Sequence, residues 1–366
     1  TRPCCQEGIV KKQLVVTLLK YGLGIGLLVW VVWRYWEPTE NGPGLSDAFQ
    51  KVIDGDGSVN FTAFLLAAAC YFVGILLTFY RWYVLVRAQD LPFTFADSVR
   101  LGLIGFYLST FLPGSIGGDI VKAAFVAREQ SRRTVAVATV MVDRFIGLCG
   151  LFWLVALIGG VAWLGGFMHQ VSPDAKAIAY LETIILIALG STAASFAVWF
   201  VAGFVSDEHS ESFARGLGRI PKIGGSFAEL WRALHMYRQR GGSVVITLLL
   251  SMVGHIGFVL TFYFAALTLT PADGIPTMAC HFLIIPVGMM FEASVPLPGG
   301  VGGGEIGFGF LYEMVGYANA AGVLGSLVRR VITWTLGLIG YLVYLRMKPT
   351  LQPARKELAV AAEAAD

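Results

Sequence analysis

Six stretches of the chain, at about 14–33, 61–80, 134–165, 178–205, 243–269 and 322–345, are apolar over enough length to cross a bilayer. A hydrocarbon core ~30 Å thick needs about 20 helical residues at 1.5 Å each. A chain with six such stretches folds in lipid, because water cannot cover that much apolar surface. Composition agrees with this. Hydrophobic residues are 56% of the chain, and 44 glycines among 366 residues add another 12%. Soluble domains carry about 45–50% apolar residues with glycine included, and roughly 25% charged ones. Here charged residues are 14% and the mean hydropathy is +0.69. Soluble enzymes, disordered tails and secreted disulfide scaffolds are excluded, and an all-α polytopic membrane protein is expected.

Two further apolar regions, 99–127 and 276–318, are each cut by glycine and proline: Leu112-Pro113-Gly114-Ser115-Ile116-Gly117-Gly118-Asp119 and Leu297-Pro298-Gly299-Gly300-Val301-Gly302-Gly303-Gly304-Glu305. Each reads as two half-helices around a non-helical turn. The net charge of +3 is small and spread out, which fits membrane orientation rather than a nucleic-acid partner. Arg2, Lys11 and Lys12 place the N-terminus inside, and Glu37, Glu40, Asp47, Asp54 and Asp56 place the next loop outside. Arg81, Arg87 and Arg100 bring the chain back, and Lys122, Arg128, Arg132 and Arg133 hold both ends of the first broken region inside. The most basic loop, with Arg215, Arg219, Lys222, Arg232, Arg238 and Arg240, is cytoplasmic, and the chain ends inside at Arg346, Lys348, Arg355 and Lys356. The second broken region then starts and ends outside.

The expected architecture is therefore six full spans plus two re-entrant broken-helix hairpins in an inverted repeat. Residues 1–165 form the first half, 166–345 the second and 346–366 a short cytoplasmic tail. A shared Leu-Pro-Gly-x-[Ile/Val]-Gly-Gly followed by an acid supports the repeat. Arg144 lies 25 residues after Asp119, and Arg330 lies 25 after Glu305. Inverted repeats with broken helices at the midplane are a transporter architecture. The first stretch is too long for a signal-peptide core and lacks a cleavage site, so it reads as a retained span. Cys4, Cys5, Cys70, Cys149 and Cys280 have no metal-ligand or disulfide-framework spacing, and no metal or cofactor is expected.

Asp143, Arg144, Arg329 and Arg330 lie well inside spans. Each charge at a helix centre costs roughly 2.5–3.5 kcal/mol, so these residues need partners, a wet cavity, or both. Two readings stand. In one, the arginines form an anion site with the amides of Gly114, Gly117, Gly118, Gly300, Gly302 and Gly303, since half-helix N-termini attract phosphate. In the other, Arg144 pairs with Asp119 and Arg330 with Glu305 as structural ion pairs, the acids also capping their helices. Glu292 precedes the second turn and could serve a coupling proton or cation. Lys20, Glu182, His255, His281 and Glu313 are weaker candidates. Gly302 to Gly307 matches G-x-G-x-x-G but lacks the βαβ context that gives it meaning. Gly22 and Gly26 form a G-x-x-x-G face expected to pack within the chain. Residues 226–240 read as an amphipathic helix on the inner leaflet.

These motifs, with Arg132-Arg133 and Asp143-Arg144, resemble the lysylphosphatidylglycerol synthase transmembrane (flippase-like) family over nearly the whole chain. In multiple peptide resistance factors this region is thought to move aminoacylated phosphatidylglycerol between leaflets, while a separate soluble domain makes that lipid. No such domain follows Arg346 here, so other anionic or polyprenyl-linked lipids come into play. The resemblance implies a lipid transporter of the inner membrane, not an enzyme, with a partner enzyme supplying the lipid. Two alternatives stay open: a membrane transferase using Asp119, Asp143 or Glu305 as a base, and a scaffold that binds a partner through loop 207–242.

Overall fold

The computed structural model describes residues 3–38, 44–54, 59–112, 118–119, 122–123, 133–172, 174–221 and 224–363. Among these every regular element is helical: α1 (Pro3–Arg34), α2 (Leu45–Asp54), α3 (Phe61–Ala88), α4 (Phe95–Phe111), α5 (Arg133–Leu164), α6 (Met168–Val171), α7 (Ala175–Phe204), α8 (Asp207–Gly218), α9 (Gly224–Met236), α10 (Gly241–Leu267), α11 (Met278–Ser294), α12 (Gly303–Met314) and α13 (Asn319–Glu363). Five contain segments long and apolar enough to cross a membrane: Phe61–Ala88, Val137–Leu164, Ala175–Phe204, Gly241–Leu267 and Asn319–Met347. The 32-residue α1 covers the first apolar stretch. Leu186 and Ile187 on α7 and Val245 and Leu249 on α10 are more than half exposed. A soluble monomer rarely exposes apolar surface so continuously, whereas in lipid such faces are at home.

Local chemistry sets the helix ends. Asn60 accepts the Ala63 N–H at 3.0 Å to start α3. Thr94 and Asp97 cap α4 reciprocally, through bonds of 3.1 and 3.2 Å. Thr277 starts α11 by accepting the Cys280 N–H at 3.2 Å. Tight crossings rest on small residues: Gly74 of α3 faces Gly254 and Gly257 of α10, and a Cβ on Gly257 would lie 3.0 Å from the Cys70 carbonyl. Lipid tails give little hydrophobic drive between helices, so this backbone approach carries much of the α3–α10 contact.

The second broken region forms a helix–turn–helix. α11 ends at Ser294, a 3₁₀ turn spans Pro298–Gly300, and α12 returns against α11. Gly299, Gly300 and Gly302 have φ of 55°, 66° and 83°, a left-handed path open to glycine and strained for other residues. In the first broken region α4 ends at Phe111, and the turn bearing Gly114 and Gly117 lies outside the described residues. Gly118 packs directly on the Gly105 backbone of α4, where a Cβ would collide, and Lys122 lies against the same glycine. Residues 118 and 122 thus meet α4 at Gly105. The two regions meet near their tips, where a Cβ on Gly299 would lie 2.9 Å from the Thr110 carbonyl oxygen.

Two expectations are corrected. A Cβ on Gly22 or Gly26 would meet nothing within 4 Å among the described residues, so that face does not pack on any of them. Instead α1 crosses the second hairpin at Gly24 and Leu27, which touch Val301 and Gly302. The apolar face of α9 is divided, with Phe227 about half exposed and the rest turned to other helices. Trp231 and Leu234 are buried against α8 and α5, and the Trp231 indole donates to Ser210 at 2.9 Å.

Candidate functional site

Arg330 and Arg144 each sit eleven residues into their helices, α13 and α5, about 16 Å along the axis. At that depth a charge must find partners, and both do. The Arg330 Nε donates to Glu305 Oε1 at 2.5 Å, and its Nη1 donates to the Gly299 carbonyl at 3.0 Å. This ties the second turn to α13. Glu305, fully buried, also accepts the Gly302 N–H at 2.7 Å and the Ser326 hydroxyl at 3.4 Å. It therefore caps α12 and neutralises Arg330 at once. Arg329 donates through Nη2 to both oxygens of Glu292, each at 2.7 Å, and its guanidinium lies 5.3 Å from the Phe308 ring centroid. Its Nε is buried without a partner among the described residues.

In the first half, Arg144 donates to Asp119 Oδ2 at 2.5 Å, and Lys122 lies 3.9 Å from the same carboxylate. Lys122 also sits 5.3 Å from the Trp82 ring centroid, which makes it part of this cluster rather than of the membrane surface. Asp143 pairs with Arg81 of α3 at 2.8 Å, and Arg81 donates on to Ser251 of α10 at 2.9 Å. Among the described residues this cluster holds three cations and two acids. The second-half cluster holds two of each. The side chain of Arg144 is 56% exposed, against 5% for Arg330. A half-exposed guanidinium at this depth would be costly against hydrocarbon and requires polar surroundings.

A cavity of about 280 Å³ lies between the hairpin tips, with Tyr71, Glu292, Gly299, Gly300, Arg329 and Arg330 on its wall. A smaller void of about 160 Å³ continues past Tyr71, Met289 and Arg329 into apolar surroundings. An apolar recess of about 150 Å³, lined by Tyr21, Leu28, Phe111 and Trp334, shares Thr110 with the main cavity. Polar and apolar spaces thus adjoin at the second turn, as an amphiphile would require.

The structure brings Glu292, Arg329, Arg330 and Gly300 to one cavity. Glu305 stands behind Arg330. Gly302 and Gly303 are outside the lining, packed on Leu27 of α1 and Val295 respectively. The Gly300 N–H bonds to the Leu297 carbonyl at 3.0 Å, so that amide is spent within the turn. Asp119, Asp143, Arg144 and Gly118 lie in the separate first-half cluster. Sequence reasoning missed Arg81, used only as a marker of topology. The signal was its place between Phe79-Tyr80 and Trp82-Tyr83 in an apolar run that continues to Val86, which extends the helix past it. His281 is pinned between the Thr277 carbonyl at 2.9 Å and the Tyr312 hydroxyl at 2.7 Å, joining α11 to α12. The Nδ1 must donate to that carbonyl, so in the neutral ring Nε2 accepts from the tyrosine.

Fold and site together define a polytopic helical membrane protein with arginine–carboxylate pairs at the tip of a broken-helix hairpin. The family model for the lysylphosphatidylglycerol synthase transmembrane region matches residues 18–340, and the chain belongs to that family. It is a membrane protein of lipid modification or transport. No curated protein and no solved structure matches it.

Proposed function

We propose that this chain is a flippase-like transporter that moves an anionic phospholipid, or another phosphate-bearing lipid, between leaflets. It acts without changing the lipid, in the inner membrane, with both termini cytoplasmic. α1 supplies a sixth span, and the two broken regions are re-entrant hairpins of an inverted repeat. The observation that carries this reading is the cavity at the hairpin tips, with Arg329 and Arg330 on its wall and an apolar recess beside it. A phosphate takes the guanidinium donors while acyl chains stay in the recess and the surrounding lipid. Arg144, the more exposed arginine, meets the head group on the opposite side. An enzyme elsewhere supplies the lipid.

The test is leaflet exchange of fluorescent phosphatidylglycerol in proteoliposomes, with a zwitterionic lipid as control. Wild type should exchange the anionic lipid. Hydrogen bonds to charged groups are worth about 1.5–3 kcal/mol, so Arg144→Ala and Arg329→Ala should each slow exchange roughly ten- to hundredfold. Wild-type rates in both variants refute the site, and a change in the lipid's mass refutes transport in favour of a transferase.

A further inference from the structure

The second-half cluster is charge-balanced, and this bears on what must accompany an anion into its cavity. Of its two arginines, Arg330 is committed to Glu305, which is fully buried and outside the cavity lining. Arg329 is held by Glu292, and both face the cavity. The charged and titratable groups around Glu292 are few among the described residues. Arg329 and Arg330 come from α13, Glu305 from α12 behind Arg330, and Tyr71 from α3. From α4 come only the hydroxyls of Ser109 and Thr110. Two positive and two negative charges leave no surplus for a phosphate. Bringing one in would place a third anion beside two cations whose side chains are 14% and 5% exposed, where an uncompensated charge is expensive.

Resting on the proposed function, we infer that the lipid phosphate displaces Glu292 from Arg329 and that Glu292 takes up a proton as it is displaced, so that anionic lipid and proton move together, one for one. The geometry suits an exchange of partners. Glu292 takes only the Nη2 of Arg329, with a longer contact from Arg330 Nη2 at 3.5 Å, and the buried Nε of Arg329, without a partner among the described residues, offers an incoming phosphate a second donor on the same planar group. Phe308 beneath the guanidinium holds its plane through the swap. The balance is closed: one proton from the aqueous phase converts the Glu292 carboxylate to the acid, one lipid phosphate replaces it on Arg329, and both leave together. The cluster's net charge is the same with and without lipid. Transport is then electroneutral and driven by a pH difference rather than by membrane potential.

The full-length protein in detergent, titrated with short-chain phosphatidylglycerol by calorimetry in buffers of different ionisation enthalpy, reads the protons bound per lipid directly. Wild type should take up one proton per lipid, and its dissociation constant should rise as the pH is raised. In Glu292→Gln the uptake should vanish and the pH dependence flatten, while Glu292→Asp should keep both. Lipid binding with no proton uptake in wild type overturns the coupling and leaves the transport reading standing. Uptake that persists in Glu292→Gln overturns the assignment to this residue. Absence of saturable phosphatidylglycerol binding in wild type overturns both. Should Glu292→Gln fail to fold, the wild-type buffer series and Glu292→Asp decide.

Discussion

Arg330 and Arg144 occupy matching places, each 25 residues beyond the acid it bonds, yet removing them should cost very different amounts of stability. The Arg330 and Glu305 side chains are 5% and 0% exposed. Arg330→Ala leaves Glu305 with only the Gly302 amide and the Ser326 hydroxyl, and leaves two acids beside the single cation Arg329. Removing one partner of a buried pair costs about 3–5 kcal/mol. Arg144 is half exposed, and Lys122 remains near Asp119 when it is gone. An exposed pair contributes about 0–1 kcal/mol. Reversible unfolding in mixed micelles with increasing dodecyl sulfate, followed by tryptophan fluorescence, compares the two. Arg330→Ala should lose about 3–5 kcal/mol and Arg144→Ala about 1 or less. The double variant Arg330→Met, Glu305→Met should recover most of the loss, because replacing both members of a buried pair by apolar groups is close to neutral. A loss below about 1 kcal/mol for Arg330→Ala, or equal losses in the two single variants, refutes the burial argument.

The glycines offer a second contrast. Gly302→Ala forces an alanine to φ near 83° and into Leu27, and should destabilise by about 1–3 kcal/mol, whereas Gly22→Ala, with open space around it, should be neutral or gain up to about 1 kcal/mol of helix propensity in the same unfolding assay. Between α8 and the end of α9, the hydrogen bond from His235, aided by the charge of Arg238, holds the Asp207 carboxyl below its ordinary value of 3.8. Its contribution to α8–α9 docking is complete well above that value and is lost as pH falls through the lowered one. Trp231 fluorescence should report an acid transition that Asp207→Asn removes, and an unchanged transition would exclude Asp207 as its source. Single cysteines at Ser212 and Asp273, in a cysteine-free background, should label from the cytoplasmic and outer faces respectively. Labelling from one face alone would break the inverted topology.

The spans were legible because a bilayer imposes a length and an apolar composition that few other folds require, and α3, α7 and α10 follow those stretches closely. The hairpin turns were legible for a different reason. Left-handed backbone at Gly299, Gly300 and Gly302 demands glycine, and the motif displays it. Pairing at a fixed spacing was also visible, since a deep arginine must find an acid and only Asp119 and Glu305 echoed each other. What sequence spacing could not provide was contact between distant elements. Arg81 reaches Asp143 across 62 residues, and Arg329 reaches Glu292 across 37. Whether a glycine lines a cavity or lets a helix pass is likewise a tertiary matter. Gly302 serves the crossing of α1, and Gly300 lines the cavity, although the two are neighbours in one motif.

The two halves diverge at one position of a shared frame. The residue before the deep arginine is Asp143 in α5 and Arg329 in α13. An acid there needs a cation and finds Arg81, in a pair buried among α3, α5 and α10. A cation there needs an acid and finds Glu292 on the cavity wall. Among the described residues, this exchange of sign leaves surplus positive charge in the first-half cluster and none in the second. On the proposed repeat, the head group is drawn to one hairpin by net charge and held at the other by partner exchange. Salt separates the two. The Debye length falls from about 10 Å at 0.1 M to about 3 Å at 1 M, which screens the half-exposed Arg144 far more than the enclosed Arg329. Phosphatidylglycerol exchange by wild type should therefore slow as salt rises over that range. The residual exchange of Arg144→Ala, already lacking the screened group, should be nearly insensitive, whereas Arg329→Ala should keep the wild-type salt dependence at a lower rate. Equal salt sensitivity in all three would show that neither hairpin attracts the lipid by its surplus charge.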